Sequence, residues 1–416
     1  MVFLRGSFAL CREEETTMEK KEQKTWMKFR HKLTVWLLRP IFTLVVCLRY
    51  HVKIEKFKEQ GDRPYLIIMN HQTAFDQFFV SIMFNRPVYY IASEDIFSLG
   101  WLSDALRYLV APIPIKKQTL DLQAVKTCIK VAREGGTIAL APEGNRTFHG
   151  RTLYMKPGIA SLVKKLGLPL VIFRIDGGYG IHPRWSDVVR RGKMRCYVSR
   201  VIEPEEYAAM SGDELFRIIE QELWADEAQV TGEFPHKKNA EFLERAMYVC
   251  PFCGLSTFES HNDLITCKKC GRVIRHNADK TLEGVGFDFP HRFVGDWYDA
   301  QSRYINQLEL TALTETPVWE ETARLSLVTP YKNKQLLKKD AKVCLYGDRI
   351  TVDERVFRFD DTSAVVVLGK NKLNIYAGKE LLQLKGSKRF NALKYVHFFH
   401  RYQNIKGGKN DEFLGL

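Results

Sequence analysis

The 416 residues exceed what one hydrophobic core ordinarily serves, so two or three domains are expected. Hydrophobic residues at 45% and charged residues at 27% are ordinary for a globular protein, and no uninterrupted apolar run approaches the ~20 residues of a membrane-spanning helix. The net charge of +14 gathers at two ends: residues 18–60 carry eleven Lys/Arg against four Asp/Glu, and residues 331–416 eighteen against nine. Basic ends around a near-neutral centre suit a surface resting on anionic lipid, and make nucleic acid the weaker partner.

Residues 1–17 are polar, with an acidic Glu13-Glu14-Glu15 run, and Met18 is an alternative start; no fold is assigned to this leader. Residues 18–60 read as basic amphipathic membrane-associating helices. The apolar stretch Leu33–Arg49 is divided by Arg39-Pro40, where a charge and a kink argue for a pair of interfacial helices rather than one span. The competing reading is an N-terminal helix packed on the core with a solvated basic face. Five of the nine cysteines (Cys11, Cys47, Cys128, Cys196, Cys344) are scattered, and nothing resembles a secretory signal, which points to a reducing, cytoplasmic setting.

From 61 to 235 short apolar strands alternate with helices. Strands are expected at 65–69, 87–92, 112–116, 136–141, 169–175 and 195–202, and helices at 74–84, 101–109, 119–133, 156–166 and 211–225. This is the pattern of an α/β domain with a central, mostly parallel sheet and flanking helices, whose functional loops lie at the carboxyl ends of strands. One such loop is Asn70-His71-Gln72-Thr73-Ala74-Phe75-Asp76-Gln77. Five positions apart on a regular helix, His71 and Asp76 would diverge by about 140°. They meet only if His71 lies in the loop and Asp76 in the first helical turn, with Thr73 as N-cap of a Thr-x-x-Asp capping box. The bland alternative makes Asp76 a capping carboxylate and His71 a loop residue. A second loop, Pro142-Glu143-Gly144-Asn145-Arg146-Thr147, follows the strand 136–141; alone, it is a surface turn with a weak i,i+3 ion pair. A third strand end carries Lys116 and Lys117, either solvated or adding positive charge to a cleft holding Arg146.

In the second half, Cys250-Pro251-Phe252-Cys253-Gly254 and Cys267-Lys268-Lys269-Cys270-Gly271 form paired Cys-x2-Cys-Gly turns. Four thiolates so spaced predict a closed, structural zinc site in a zinc ribbon over 246–276, a dithiol redox pair being the alternative. Residues 277–335 read as a connecting region. Over 336–404, strands at 343–346, 349–352, 355–359, 364–368, 372–376 and 381–384 precede a helix at 387–402, a small β-rich domain resembling a pleckstrin-homology barrel. Its basic balance again suits an anionic membrane.

The three loops together resemble the motifs of the glycerolipid acyltransferase family, typified by 1-acyl-glycerol-3-phosphate acyltransferases. His71-Gln72-Thr73-Ala74-Phe75-Asp76 matches its His-x4-Asp motif, and Pro142 to Thr147 its Pro-Glu-Gly-Thr-Arg-Ser motif with conservative changes. Leu168-Pro169-Leu170-Val171-Ile172 is similar to the fourth motif, although Phe173-Arg174 stands where proline and a small residue are usual. Lys116 or Lys117 replaces the usual arginine of the second motif. The resemblance implies acyl transfer from an acyl thioester, on coenzyme A or acyl-carrier protein, to the hydroxyl of a lysophospholipid such as 1-acyl-glycerol-3-phosphate. His71 would be the base and Asp76 its orienting acid, with Lys116, Lys117, Glu143, Gly144, Asn145, Arg146 and Thr147 around the acceptor. For Glu143, whose charge repels phosphate, a structural role toward Arg146 or a loop amide competes with substrate binding. The expected setting is a peripheral enzyme on the cytoplasmic face of a membrane; the different-class alternative is an inactive scaffold recruiting a partner through the ribbon.

Overall fold

The computed structural model describes residues 25–98, 100–115, 121–329, 332–409 and 414–415. Lys116, Lys117, Cys11 and the leader 1–17 lie outside the described residues.

The chain enters through α1 (Phe29–Tyr50) and β1 (Val52–Ile54). Then follow β2 (Leu66–Met69), α2 (Asp76–Met83), β3 (Val88–Ser93), α3 (Trp101–Leu109), β4 (Ile113–Ile115), α4 (Leu122–Arg133) and β5 (Thr137–Leu140). The domain closes with α5 (Gly158–Leu166), β6 (Leu170–Asp176), α6 (Gly178–Ile181), β7 (Met194–Ile202), α7 (Pro204–Ala208) and α8 (Gly212–Leu223). Strand order is β1-β7-β6-β2-β5-β3-β4, parallel throughout except where β7 runs against β6. The apolar runs sit where continuous burial requires them: every residue of β2 is buried between β5 and β6. Local chemistry starts the flanking helices. The Asp121 carboxylate accepts from Gln123 N and Ala124 N, both at 3.1 Å, ahead of α4, and Ser211 Oγ accepts from Glu214 N ahead of α8.

The expected helix pair at the N-terminus is instead one unbroken helix of 22 residues with Pro40 inside it. By length and composition it is apolar enough to cross a membrane. Arg39 does not interrupt it, because its guanidinium lies against the end of α2, donating to Ile82 O at 2.7 Å and, just past the helix, to Asn85 Oδ1 at 2.8 Å. Val46 and Tyr50 pack with Phe79, Val80 and Ile67 in the core on that face of the sheet.

The second half holds a two-stranded hairpin, β8 (Val249–Cys250) and β9 (Gly254–Leu255), and an antiparallel sheet of β10 (Phe258–His261), β11 (Leu264–Cys267), β12 (Val273–His276) and β13 (Leu282–Gly284). Residues 277–335 are more than a connection. They contain α9 (Val294–Asn306) and β14 (Trp319–Leu327), and β14 is the central strand of the C-terminal sheet. With β15 (Gln335–Leu345), β16 (Arg349–Val352), β17 (Arg355–Arg358), β18 (Thr362–Leu368), β19 (Lys372–Ala377) and β20 (Glu380–Gly386) the order is β17-β16-β15-β14-β20-β19-β18. α10 (Leu393–Lys406) closes it, burying Tyr395, Val396, Phe398 and Phe399. β14 escaped the sequence reading because Trp319-Glu320-Glu321-Thr322 opens with acids, one of which, Glu321, is held by Tyr395 and Lys394 of α10.

One apolar cluster runs from Phe148, Leu153 and Trp185 of the α/β domain through the ribbon region into the C-terminal sheet. Arg151 reinforces that junction, pairing Asp226 on one side and Asp296 and Asp299 of α9 on the other.

Candidate active site

β2 and β5 are adjacent and parallel, so the loops at their carboxyl ends face each other although 72 residues separate His71 from Glu143. That adjacency brings the two sequence motifs together. His71 Nδ1 lies 2.8 Å from Asp76 Oδ2. Asp76 is fully buried in the first turn of α2 and accepts four further bonds, from Gln72 N, from Thr73 N to both oxygens and from Thr73 Oγ1. A carboxylate so surrounded by donors is an acceptor toward His71 as well, which assigns the proton to Nδ1 and leaves Nε2 as the basic nitrogen. Thr73 is not the N-cap foreseen. Asp76 is the first helical residue and Phe75 holds the cap position, while Thr73 Oγ1 bridges Asp76 and Phe75 N. The short link 73–75 is pulled into a turn by the carboxylate, so the helix cannot start there.

Glu143 is buried and fully engaged: Oε1 accepts from His71 N and Oε2 from Leu153 N, both at 2.8 Å. This is the loop-amide role set beside substrate binding in the sequence reading. Burial pushes its carboxyl up to about 8, against the pull of the Leu153 and His71 amides. Gly144 adopts φ +68°, a left-handed turn that a side chain would strain. Thr147 is also turned inward, its Oγ1 accepting from His149 N and Gly150 N. Asn145 is buried beside it. Arg146 differs: its Nη1 is buried and finds no hydrogen-bond partner among the described residues. Burial lowers its pKa, with Asp76 and Tyr50 opposing. His71 keeps a quarter of its side chain exposed. Burial lowers its pKa, outweighing the bond to Asp76, so the imidazole is neutral near pH 7.

The Acyltransferase family model matches residues 49–176. Curated relatives agree at low identity. A 1-acyl-sn-glycerol-3-phosphate acyltransferase of Bacillus subtilis is 21% identical over 182 residues, 43% of this chain and 88% of that one. The chloroplastic LPAT1 of Arabidopsis thaliana, a 1-acyl-sn-glycerol-3-phosphate acyltransferase, is 22% identical over 46% of this chain and 54% of its own. The chloroplastic 1-acyl-sn-glycerol-3-phosphate acyltransferase BAT2 of Brassica napus is 24% identical over 34% of this chain and 42% of its own. The chain thus spans about half the length of these plant relatives. Among solved structures, the 1-acyl-sn-glycerophosphate (LPA) acyltransferase PlsC of Thermotoga maritima is similar at 20% identity and a TM-score of 0.39, over 47% of this chain and 80% of that one.

Two residues of the candidate site were given no role from sequence. Asn70 exchanges hydrogen bonds with Ile175, donating to its carbonyl and accepting from its amide, and so pins the His71 loop to β6. Arg184 donates to Arg146 O (2.8 Å) and, across the domain junction, to Gly369 O (2.8 Å) and Val367 O (3.2 Å) at the β18–β19 turn. The Asn of an Asn-His pair is a readable signal. Arg184 carries none, since its partners are main-chain carbonyls distant in sequence.

Away from this site, the sulfurs of Cys250, Cys253, Cys267 and Cys270 lie within 4.8 Å of one another. Two of the separations are 3.7 Å (Cys250–Cys270) and 3.6 Å (Cys253–Cys267). Tetrahedral zinc with bonds of about 2.3 Å sets its sulfurs roughly 3.8 Å apart, so the four thiols fit that ion.

Proposed function

We propose that this protein transfers an acyl group from an acyl thioester to the hydroxyl of a lysophospholipid, with 1-acyl-glycerol-3-phosphate the favoured acceptor. The observation that carries the reading is the His71–Asp76 pair, which leaves Nε2 of a neutral imidazole as the basic nitrogen, together with Arg146, whose Nη1 has no hydrogen-bond partner among the described residues. In this mechanism Nε2 takes the acceptor's hydroxyl proton as the oxygen attacks the thioester carbonyl. The C–S bond then breaks, and the departing thiolate collects the proton from the imidazolium that Asp76 has stabilised. Arg146, together with Lys116 or Lys117, holds the acceptor phosphate; Glu143 and Asn70 hold the His71 loop in place. The family match and the names of the relatives support acyl transfer, and those names favour the 3-phosphate acceptor.

The four cysteines bind a structural zinc ion, which leaves no coordination position for substrate; the sulfur spacing supports this. The C-terminal domain is pleckstrin-homology-like, as its two strand meanders joined through β14 and β20 and its closing helix support. The enzyme works as a peripheral protein at the cytoplasmic face, resting through α1 and the basic C-terminal domain on anionic lipid. The test is a panel of lysolipid acceptors with an acyl-coenzyme A or an acyl-carrier protein donor, read by mass spectrometry. Product from the 3-phosphate acceptor supports the reading, and its absence with every acceptor and both donors rejects it.

A further inference from the structure

α3 faces the wrong way for a helix in water. A helix on a soluble core turns its apolar stripe inward. Here the buried residue is Ser103, whose hydroxyl donates to Ile96 O at 2.7 Å. Trp101 is 79% exposed and Tyr108 59%, with Leu102 and Leu109 exposed beside them. At 100° per residue these four side chains fall in an arc of roughly 120°, so they form one outward apolar face. α1 presents a similar stripe, with Phe29, Leu33, Trp36, Leu37, Leu44 and Leu48 all exposed. The two helices are neighbours: Arg30 donates to Tyr108 O at 2.8 Å and its guanidinium lies 4.2 Å from the centre of the Tyr108 ring.

We propose that α3 is a second membrane-contact element, seated in the interface of an anionic bilayer alongside α1. The proposal rests on the membrane reading of α1 given above and adds a contact that fixes the protein's orientation. Three features select a bilayer as the occupant. The face carries Trp and Tyr, the side chains that favour the headgroup boundary. Cations fringe it from the α1 side, with Lys28 exposed at the N-cap of α1 and Lys32 exposed within it, which complements anionic headgroups; on α3 itself Arg107 pairs with the exposed Asp104 at 3.6 Å and adds no net charge. It also adjoins the longest exposed apolar helix of the described residues. The topology gives the contact a purpose. β3 is parallel to β5 and β2, and α3 begins beyond the carboxyl end of β3. That is the sheet edge from which the His71 and Arg146 loops emerge. A bilayer touching α3 therefore lies at the edge where a lysolipid must enter.

The experiment uses the full chain with phosphatidylcholine vesicles, with or without phosphatidylglycerol. In vesicles containing brominated phosphatidylcholine, Trp101→Phe should remove a quenched component of the tryptophan emission, and Trp224→Phe, also at an exposed residue, should not. The triple variant Trp101→Ser, Tyr108→Ser, Leu109→Ser should lose at least about tenfold in vesicle partitioning, because three apolar groups no longer enter the interface. All three positions are exposed, and an unchanged circular dichroism spectrum shows that the fold survives. Unaltered quenching in Trp101→Phe, or unaltered partitioning in the triple variant, overturns the proposal. So does a wild-type dimer that the triple variant dissociates, since the face would then belong to a second copy. Acyl transfer in detergent micelles is measured separately: its absence in the wild type rejects the functional reading and leaves the quenching result standing.

Discussion

In the proposed reaction His71 is the base, and its surroundings set a pH dependence with a definite sign. The base must be neutral to accept a proton. Burial lowers its pKa from 6.5, so the neutral form persists to lower pH than in a free histidine. The acid limb of kcat/KM should therefore fall below pH 6.5; a limb above it would mean that the Asp76 bond outweighs burial. His71→Ala should reduce turnover at least about a hundredfold, the low end for a general base. Because His71 is partly exposed, its thermal midpoint should stay near that of the wild type. Asp76→Asn should lose both turnover and stability: an amide NH2 in place of one carboxylate oxygen faces the amides and hydroxyl that the carboxylate now satisfies. Arg146→Ala should raise KM for a phosphate-bearing acceptor by one to two orders of magnitude, since a charge-assisted hydrogen bond contributes roughly 1.5–3 kcal/mol. Steady-state kinetics in micelles checks this without vesicle binding.

At the level of elements, the four-cysteine segment is tied into the core rather than appended. Cys250 and Cys267 are buried in the cluster that also holds Trp297, Trp319 and Phe398. Trp297 Nε1 donates to Val249 O, and Gln301 Oε1 accepts from Tyr248 N and Val249 N, so α9 grips the first cysteine turn. Metal analysis should return about one zinc per chain, and Cys250→Ser with Cys267→Ser should lose it and lower the thermal midpoint. Four cysteines oxidised in pairs, with no metal, would favour the redox alternative. α1 shows how element boundaries escape pattern reading. Arg39-Pro40 looks like a break because a charge and a proline are costly in isolation. Neighbouring α2 removes the first cost by taking the guanidinium.

Across the whole molecule, the C-terminal domain reaches the candidate site through Arg184, which bonds the carbonyls of Arg146, Gly369 and Val367. A lysine there has one nitrogen for three carbonyls and cannot reproduce the planar fork. Arg184→Lys should raise KM at least about fivefold for a phosphate-bearing acceptor and much less for a monoacylglycerol. A general loss of fold would impair both acceptors alike. The same architecture forbids a simple truncation. Cutting after residue 335 removes β15 and β20, the two strands that flank β14, and exposes the shared cluster. Such a chain should lack a cooperative unfolding transition in calorimetry.

Local pattern was enough for the α/β alternation and for the two polar loops after β2 and β5. Burial on both faces forces short apolar strands, and polar His, Asp and Gly-Asn-Arg directly after such strands mark where each one ends. It was enough, too, for the meeting of the four cysteines, whose paired Cys-x2-Cys turns bring their sulfurs within 4.8 Å of one another. Tertiary structure decided that Glu143 serves the His71 amide, that β14 lies inside the stretch read as a connection, that α1 is unbroken, and that Arg184 links two domains. Each of these depends on a partner contributed by another element: a backbone amide, a pair of flanking strands, a helix end, a carbonyl nearly two hundred residues away. A sequence states which groups a chain carries, and only the packed chain states which of them meet.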